Sequence, residues 1–187
     1  MRVPKVVILM ENSRAWERGL IAGIANYSHL HGPWNFLKKP AFFMPGRNTA
    51  FYKEIIHFNP DGIIMRELPE TEKIISLGKP IVISPVNVRN FKGVANIVED
   101  CQATGRMAAE HLLSKGLKNF AYCGIDDMFW SKYRCDGFVK RIKEEGFPVF
   151  VYKQPKEKKN RIFENELSFL TKWLCGLPVP AGLMCCI

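Results

Sequence analysis

The sequence has no stretch of about twenty apolar residues, the length that a helix needs to cross a bilayer. Its first residues, MRVPKVVILMENS, hold one short apolar run that ends in charge, and they offer no small-residue cleavage site. That pattern indicates a first β-strand rather than a secretion signal. Both absences favour a cytoplasmic protein without a membrane partner.

Glycine-rich phosphate-binding motifs are also missing. No G-x-G-x-x-G follows the first apolar run, and neither G-x-x-x-x-G-K-[ST] nor the nucleophile motif G-x-S-x-G occurs. The four histidines, His29, His31, His57 and His111, form no convincing catalytic set. We therefore predict that the protein is not an enzyme and needs no cofactor. The alternative is an enzyme or a nucleotide-binding protein on a doubly wound α/β fold.

The cysteines contain no C-x-x-C motif, which argues against a zinc site or another metal centre. Four of the six fall on apolar faces or inside strand-like runs, so we predict reduced, buried thiols, as in a cytosolic protein. The cysteines are Cys101, Cys123, Cys135, Cys175, Cys185 and Cys186.

The net charge of +9 over 187 residues is compatible with a polyanionic partner, but the basic residues are scattered. The one dense run, PKEKKNR at 155–161, lies between a predicted strand and a predicted helix. A solvated loop explains this run better than a nucleic-acid patch does. A hydrophobic fraction of 47% is enough to bury a real core.

Short apolar runs alternate with amphipathic segments along the whole chain. The predicted strands cover 6–10, 36–44, 62–65, 80–85, 93–100, 120–125, 149–153 and 181–187, and the predicted helices 14–30, 49–58, a short one near 70–78, 101–116, 132–146 and 163–175. Repeated β-α-β units predict an α/β fold with doubly wound parallel sheets. Asp100 is the predicted N-cap of the helix that Gly116 ends. The last apolar strand has no helix to cover it, so we expect a truncated chain.

Ligands of open α/β sheets bind at the carboxyl ends of the strands, which selects a small group of candidate residues. They are Asn12, Ser13, Arg14 and Trp16 after the first strand, Arg66 after 62–65, Asn87 and Arg89 after 80–85, and Phe129, Trp130 and Arg134 after 120–125. Trp16 is either a stacking platform for a sugar or a cap on the core, since it shares a helical face with Leu20, Ile24 and Tyr27. Ser13 has a simpler role as a helix N-cap.

Arg134 lies four residues before Phe138 and eight before Ile142, on the apolar stripe of its helix. Because it comes near the start of that helix, we expect it to point towards the ends of the strands. Its fixed fork of donors suits vicinal hydroxyls or a carboxylate. The alternative is an internal salt bridge to Asp126, Asp127 or Asp136.

The segment NIVEDCQATGRMAAEHLLSKGLKNFAYCGI, followed by YRCDGFVKRIKEEGF, resembles the core of LacI-type regulator sensor domains. Such domains show an aspartate that opens a helix, an A-a-x-x-L-x-x-x-G close, a strand, and an arginine three residues before a glycine–aromatic pair. Here these features are Asp100, the segment 108–116, and Arg134 with Gly137 and Phe138. The opening ENSRAWERGLIAGIANYSHLHGPWNF and the ending LTKWLCGLPVPAGLMCCI look closer still to xylose operon regulators of the AraC class, whose DNA-binding helices come last.

The resemblance implies a type I periplasmic-binding-protein-like sensor with a first lobe at 1–119 and an incomplete second lobe at 120–187. It implies a cleft arginine at Arg134 and a cleft wall that includes Arg14 and Trp16. The implied effector is a sugar, xylose in particular, and the implied assembly is a homodimer. Operator DNA would be bound only through a region missing from this chain. Transport-type binding proteins share the fold, but the lack of a secretion signal argues against them.

Overall fold

The apolar runs form strands, and the amphipathic segments between them form helices. The computed structural model describes residues 2–11, 13, 15–38, 49–87, 90–155 and 163–186. The strands are β1 Lys5–Leu9, β2 Asn35–Lys38, β3 Gly62–Arg66, β4 Ile81–Ser84, β5 Ala95–Asn96, β6 Asn119–Gly124, β7 Val149–Val151 and β8 Ala181–Cys186. The helices are α1 Ala15–His31, α2 Thr49–Phe58, α3 Thr71–Ile75, α4 Cys101–Ser114, α5 Phe129–Glu144 and α6 Phe163–Cys175. Within these ranges, no helix is long and apolar enough to cross a membrane.

The chain divides into two compact units, Met1–Val98 (unit 1) and Glu99–Ile187 (unit 2). The described strands of unit 1 form a parallel sheet in the order β2-β1-β3-β4-β5. Alternate side chains of β1, β3 and β4 point to one face and pack against α2 and α3. This core consists of Val7, Leu9, Ile55, Ile63, Met65, Ile74, Ile81 and Ile83.

Unit 2 repeats the pattern on a smaller scale. Its described strands form a parallel sheet in the order β7-β6-β8. One face of β6 packs against α4 and α5 through Phe120, Tyr122, Ala109, Phe138 and Ile142. The parallel-sheet α/β fold that the sequence predicts is thereby confirmed.

The division between the units comes earlier in the chain than the boundary after Asn119 that the sequence suggests. Helix α4 packs against α5 and β8, and its Ala109 belongs to the same core as Phe138. By packing, therefore, the helix that precedes β6 is part of unit 2, although β5 before it is part of unit 1.

Two glycines allow the backbones of α4 and α5 to come into direct contact. A Cβ at Gly105 would lie 2.0 Å from the carbonyl oxygen of Arg134, and a Cβ at Gly137 would lie 2.2 Å from that of Gln102. No larger residue fits either position without a shift of the backbone. The crossing gives a physical reason for the glycine–aromatic pair after Arg134, because Gly137 permits the contact and Phe138 fills the core. The same crossing fixes the backbone from which Arg134 projects.

The predicted ends of α4 are confirmed. Asp100 Oδ1 accepts a hydrogen bond from the backbone amide of Ala103 at 2.9 Å, as an N-cap does. Gly116 has φ of +73°, the left-handed conformation in which glycine commonly ends a helix.

The predicted start of α5 is wrong. The helix begins at Phe129 rather than at 132, so Phe129 and Trp130 lie in its first turn and not in a loop. Trp130 is partly buried and packs against the core of unit 2. Core packing thus explains one of these two aromatic residues. Within the predicted second strand, residues 39–44 lie outside the described residues.

The buried face of α1 also differs from the apolar pattern of its sequence. Trp16 and Tyr27 are 37% and 52% exposed, whereas the buried residues are Glu17 and Ser28. Both buried residues have polar partners; Ser28 Oγ, for example, accepts from the backbone amide of Trp34 at 3.0 Å. Polar contacts rather than apolar periodicity thus set this face, and Trp16 is not a core residue.

Candidate functional site

The spatial order of the strands reverses its direction once in each described sheet. In unit 1 the reversal lies between β1 and β3, and in unit 2 it lies between β6 and β8. Ligands of open α/β sheets bind outside the carboxyl ends of the strands at such a switch point.

Arg66, the last residue of β3, forms the centre of the unit 1 edge. Its Nη1 lies 2.8 Å from Glu17 Oε1 and 3.7 Å from Glu11 Oε2. The Arg66 and Glu17 side chains are only 15% and 3% exposed. Glu17 Oε2 is buried and has no hydrogen-bond partner among the described residues. The pair therefore combines a cation with a buried acceptor that can still take a hydrogen bond.

The start of α1 and the loop before it supply further candidate residues at this edge. Trp16 precedes Glu17 in the first turn of α1 and remains 37% exposed. The Ser13 hydroxyl donates to Glu11 Oε2 at 3.3 Å, so the structure gives it a carboxylate partner in the same loop. Asn12 and Arg14 lie outside the described residues. The first turn of α1 thus carries an exposed aromatic ring one residue before the buried Glu17.

Asn87 belongs to the loop that follows β4. Its backbone amide and that of Val86 donate to Glu67 Oε2, both at 2.7 Å, and its side-chain Nδ2 donates to Glu67 Oε1 at 3.0 Å. These bonds tie the loop after β4 to the residue after β3. Asn87 is therefore a positioned residue at the same edge, while Arg89 lies outside the described residues.

Arg134 is the centre of the unit 2 edge. Its Nη2 donates to the carboxylate of Glu99, its Nη1 donates to Cys186 Sγ at 3.1 Å, and its Cζ lies 5.3 Å from the centre of the Trp130 ring. The side chain is 21% exposed, and its buried Nε has no partner among the described residues. An internal ion pair therefore exists, but it involves Glu99. The predicted partner Asp126 accepts instead from the backbone amide of Gln154 at 3.1 Å.

The surroundings of Arg134 keep it charged. Burial alone would lower its pKa, but the hydrogen bonds with Cys186 and Glu99 outweigh that effect and raise the pKa above its ordinary value. In the same core, burial raises the pKa of Tyr122, whose hydroxyl donates to the backbone carbonyl of Ser131 at 2.7 Å. The edge of unit 2 thus presents a permanent cation that is paired with the Glu99 carboxylate.

Sequence reasoning missed the partners of both arginines. Glu17 and Glu99 each lie next to a residue that the sequence singled out, Trp16 and Asp100 respectively. Each partner lies far from its arginine in the chain, so no local signal in the sequence points to either pairing. Among the residues that the structure describes, no cluster of three or more His, Cys, Asp or Glu side chains could hold a metal ion.

Comparison with known proteins gives a curated relative. The chain is 23% identical over 192 aligned positions to the xylose operon regulatory protein of Haemophilus influenzae, with 96% of the chain covered. The chain spans about half the length of this relative, 47%. No family model matches the sequence.

Solved structures with the same fold span nearly the whole chain. A periplasmic binding protein/LacI transcriptional regulator from Alkaliphilus metalliredigens, complexed with D-xylulofuranose, has a TM-score of 0.60 and 13% identity over 97% of this chain and 76% of its own. The Cra dual regulator from Pseudomonas putida, in complex with fructose 1-phosphate, has a TM-score of 0.63 and 16% identity over 97% of this chain and 67% of its own. The fold is that of LacI-type regulators and periplasmic binding proteins. These similar proteins are transcription regulators.

Proposed function

We propose that the chain is the effector-sensing domain of a transcriptional regulator and that its effector is a monosaccharide, most specifically xylose or another pentose. The observation that carries this proposal is the Arg134 guanidinium, held by Glu99 and Cys186 next to the ring of Trp130. It lies at the strand end where ligands of such sheets bind and at the position that resembles the cleft arginine of LacI-type sensors.

The chemistry of both edges suits a sugar. Each edge carries an arginine, a carboxylate paired with it and a tryptophan: Arg66, Glu17 and Trp16 in unit 1, and Arg134, Glu99 and Trp130 in unit 2. A guanidinium fork donates to neighbouring hydroxyls, a carboxylate accepts from them, and an aromatic face packs against the C–H face of a sugar ring. The same set lacks the glycine loop that a nucleotide phosphate needs.

The relatives support the finer parts of the proposal. The similarity to a xylose operon regulatory protein and to a regulator that binds D-xylulofuranose favours a pentose. We propose an AraC-class regulator whose DNA-binding helix-turn-helix lies outside this chain, since the chain spans 47% of the curated relative. We also propose that the protein is cytoplasmic and acts as a homodimer. The sugar would shift the population between two states that bind it with different affinity.

A thermal-shift panel tests the proposal. The chain is heated with millimolar pentoses, hexoses and nucleotides, each in a separate scan. A ligand that binds only the folded state raises the melting temperature according to its concentration relative to Kd. We expect a rise with xylose or another pentose and none with nucleotides. A rise with nucleotides alone, or no rise with any sugar, would overturn the proposal.

Three variants locate the sugar site. Arg134→Lys keeps the charge but loses the planar fork, and Trp16→Ala removes the ring, so both should reduce the sugar-dependent rise. The matched control is Arg106→Ala, because Arg106 is also an ion-paired arginine of unit 2 but contacts Glu110 and Glu144 on the helix surface. The control should keep the full sugar-dependent rise. An equal loss in all three variants would contradict the assignment.

A further inference from the structure

Two thiols face each other across neighbouring strands of unit 2. Cys123 of β6 and Cys185 of β8 are Cα partners in the parallel register. Neighbouring strands lie about 4.8 Å apart, within the Cα separation of about 4.4–6.8 Å that disulfides span. Because successive side chains of a strand alternate, both thiols project from the face opposite to Tyr122 and Met184, which pack in the core.

We propose that Cys123 and Cys185 form a redox-active dithiol that a hydroperoxide oxidises to an intramolecular disulfide. The proposal is independent of the sugar-sensing function. The disulfide would join β6 to β8 close to the strand ends, one residue before Cys186, whose sulfur accepts from Arg134.

The two thiols differ in a way that gives each a separate role. Cys185 is exposed, whereas Cys123 is half-buried. Burial raises the pKa of Cys123, and the neighbouring Cys185, Glu166 and Asp126 add to this effect. Cys123 is thus a poor first nucleophile near neutral pH, and the exposed Cys185 reacts first with the oxidant.

The reaction balances in two steps. The Cys185 thiolate attacks one oxygen of hydrogen peroxide, the O–O bond breaks, and a sulfenic acid and water form after proton transfer. The Cys123 thiolate then attacks the sulfenic sulfur, the S–O bond breaks, the S–S bond forms, and a second water leaves. In total, the two thiols lose two electrons and two protons, and the peroxide is reduced to two waters.

The other thiols lack this combination of a facing partner and access. Cys101 and Cys186 are buried, at 6% and 3% exposure, and burial raises the pKa of Cys101. Cys135 is half-buried, and burial, with Asp136 as a smaller cause, raises its pKa to about 11. Cys175 is exposed at the end of α6, outside the paired strands. It is therefore the matched control for an accessible thiol.

Peptide mapping of the oxidised chain tests the proposal. The reduced chain is treated with stoichiometric hydrogen peroxide, alkylated under denaturing conditions and digested with trypsin. We expect loss of two of the six alkylatable thiols and a cross-link between the peptides 119–132 and 173–187. Fragmentation between Cys185 and Cys186 assigns the bond, and a thiol reductant should restore both sites.

Variants and competing products make the test decisive. Cys175→Ser should give the same cross-link at the same rate, whereas Cys123→Ser should abolish it and leave Cys185 as a sulfenic acid that a dimedone probe traps. A bond between Cys185 and Cys186, a bond between Cys101 and Cys186, or a disulfide between two chains would overturn the proposal. So would retention of all six alkylatable thiols.

Discussion

The close crossing of α4 and α5 predicts that Gly137→Ala destabilises the chain. A Cβ at Gly137 would lie 2.2 Å from the backbone oxygen of Gln102 and 2.9 Å from two further atoms of that residue. Non-bonded carbon atoms need about 3.5 Å, so the helices must move apart by about 1 Å. Neither Phe138 nor Ile142, both 0% exposed, can follow that movement without losing contacts in the core.

The expected magnitude is a balance of two effects. Overpacking of a core costs about 1–3 kcal/mol and more where the backbone has to shift, while alanine favours a helix over glycine by about 1 kcal/mol. We expect Gly137→Ala to lower the free energy of unfolding by about 2 kcal/mol or more. Urea denaturation followed by circular dichroism measures this change, with an unchanged slope as the sign of an unchanged folded state.

The control uses the same substitution on an open helix face. Gly23 of α1 is exposed, and a Cβ there would meet nothing within 4 Å. Gly23→Ala should therefore raise the free energy of unfolding by up to about 1 kcal/mol. If Gly137→Ala left the stability within about 0.5 kcal/mol of the original chain, the close crossing would be refuted.

Three further predictions concern capping, pH and ion pairing. Asp100→Ala removes the N-cap bond of α4 and should cost about 1 kcal/mol in urea denaturation, and an unchanged midpoint would contradict the capping role. The backbone amide of Lys5 donates to the Asp61 carboxylate and lowers the pKa of Asp61. The ionised carboxylate therefore stabilises the fold at pH values above the ordinary pKa of an aspartate, and this stabilisation is lost as the pH falls and Asp61 is protonated. In Asp61→Asn, the free energy of unfolding should thus depend less on pH in the acid range, and an equally steep pH dependence would contradict this role of Asp61. Arg66→Met leaves Glu17 buried and unpaired, so it should lower the free energy of unfolding by about 3 kcal/mol. The double variant Arg66→Met, Glu17→Leu should recover most of that loss, and no recovery would refute the pairing.

The alternation of apolar runs and amphipathic segments was enough to predict the fold. Helix α2 was predicted at 49–58 and is observed at Thr49–Phe58, because apolar residues at helical spacing form its buried face. The N-cap at Asp100 is equally predictable from the sequence, since an aspartate directly before a helix accepts a hydrogen bond from a backbone amide in the first turn of that helix.

The ion-pair partners could not be predicted, because they depend on contacts between distant segments. The buried Glu17 of α1 pairs with Arg66 of β3, which comes nearly fifty residues later in the chain. Local periodicity placed Trp16 on a helical face with Leu20, Ile24 and Tyr27, and it gave no sign of the pairing between Glu17 and Arg66. In the same way, Glu99 lies 35 residues from Arg134 in sequence, whereas the three aspartates that the sequence offered are close neighbours.

Isothermal titration calorimetry with xylose tests the central claim most directly, using the original chain, Arg134→Lys and Arg106→Ala. The account predicts saturable heat for the original chain and for Arg106→Ala, with affinity at least about tenfold weaker in Arg134→Lys, which corresponds to about 1.4 kcal/mol. No saturable heat with xylose or any other pentose, or equal affinity in Arg134→Lys, would contradict it.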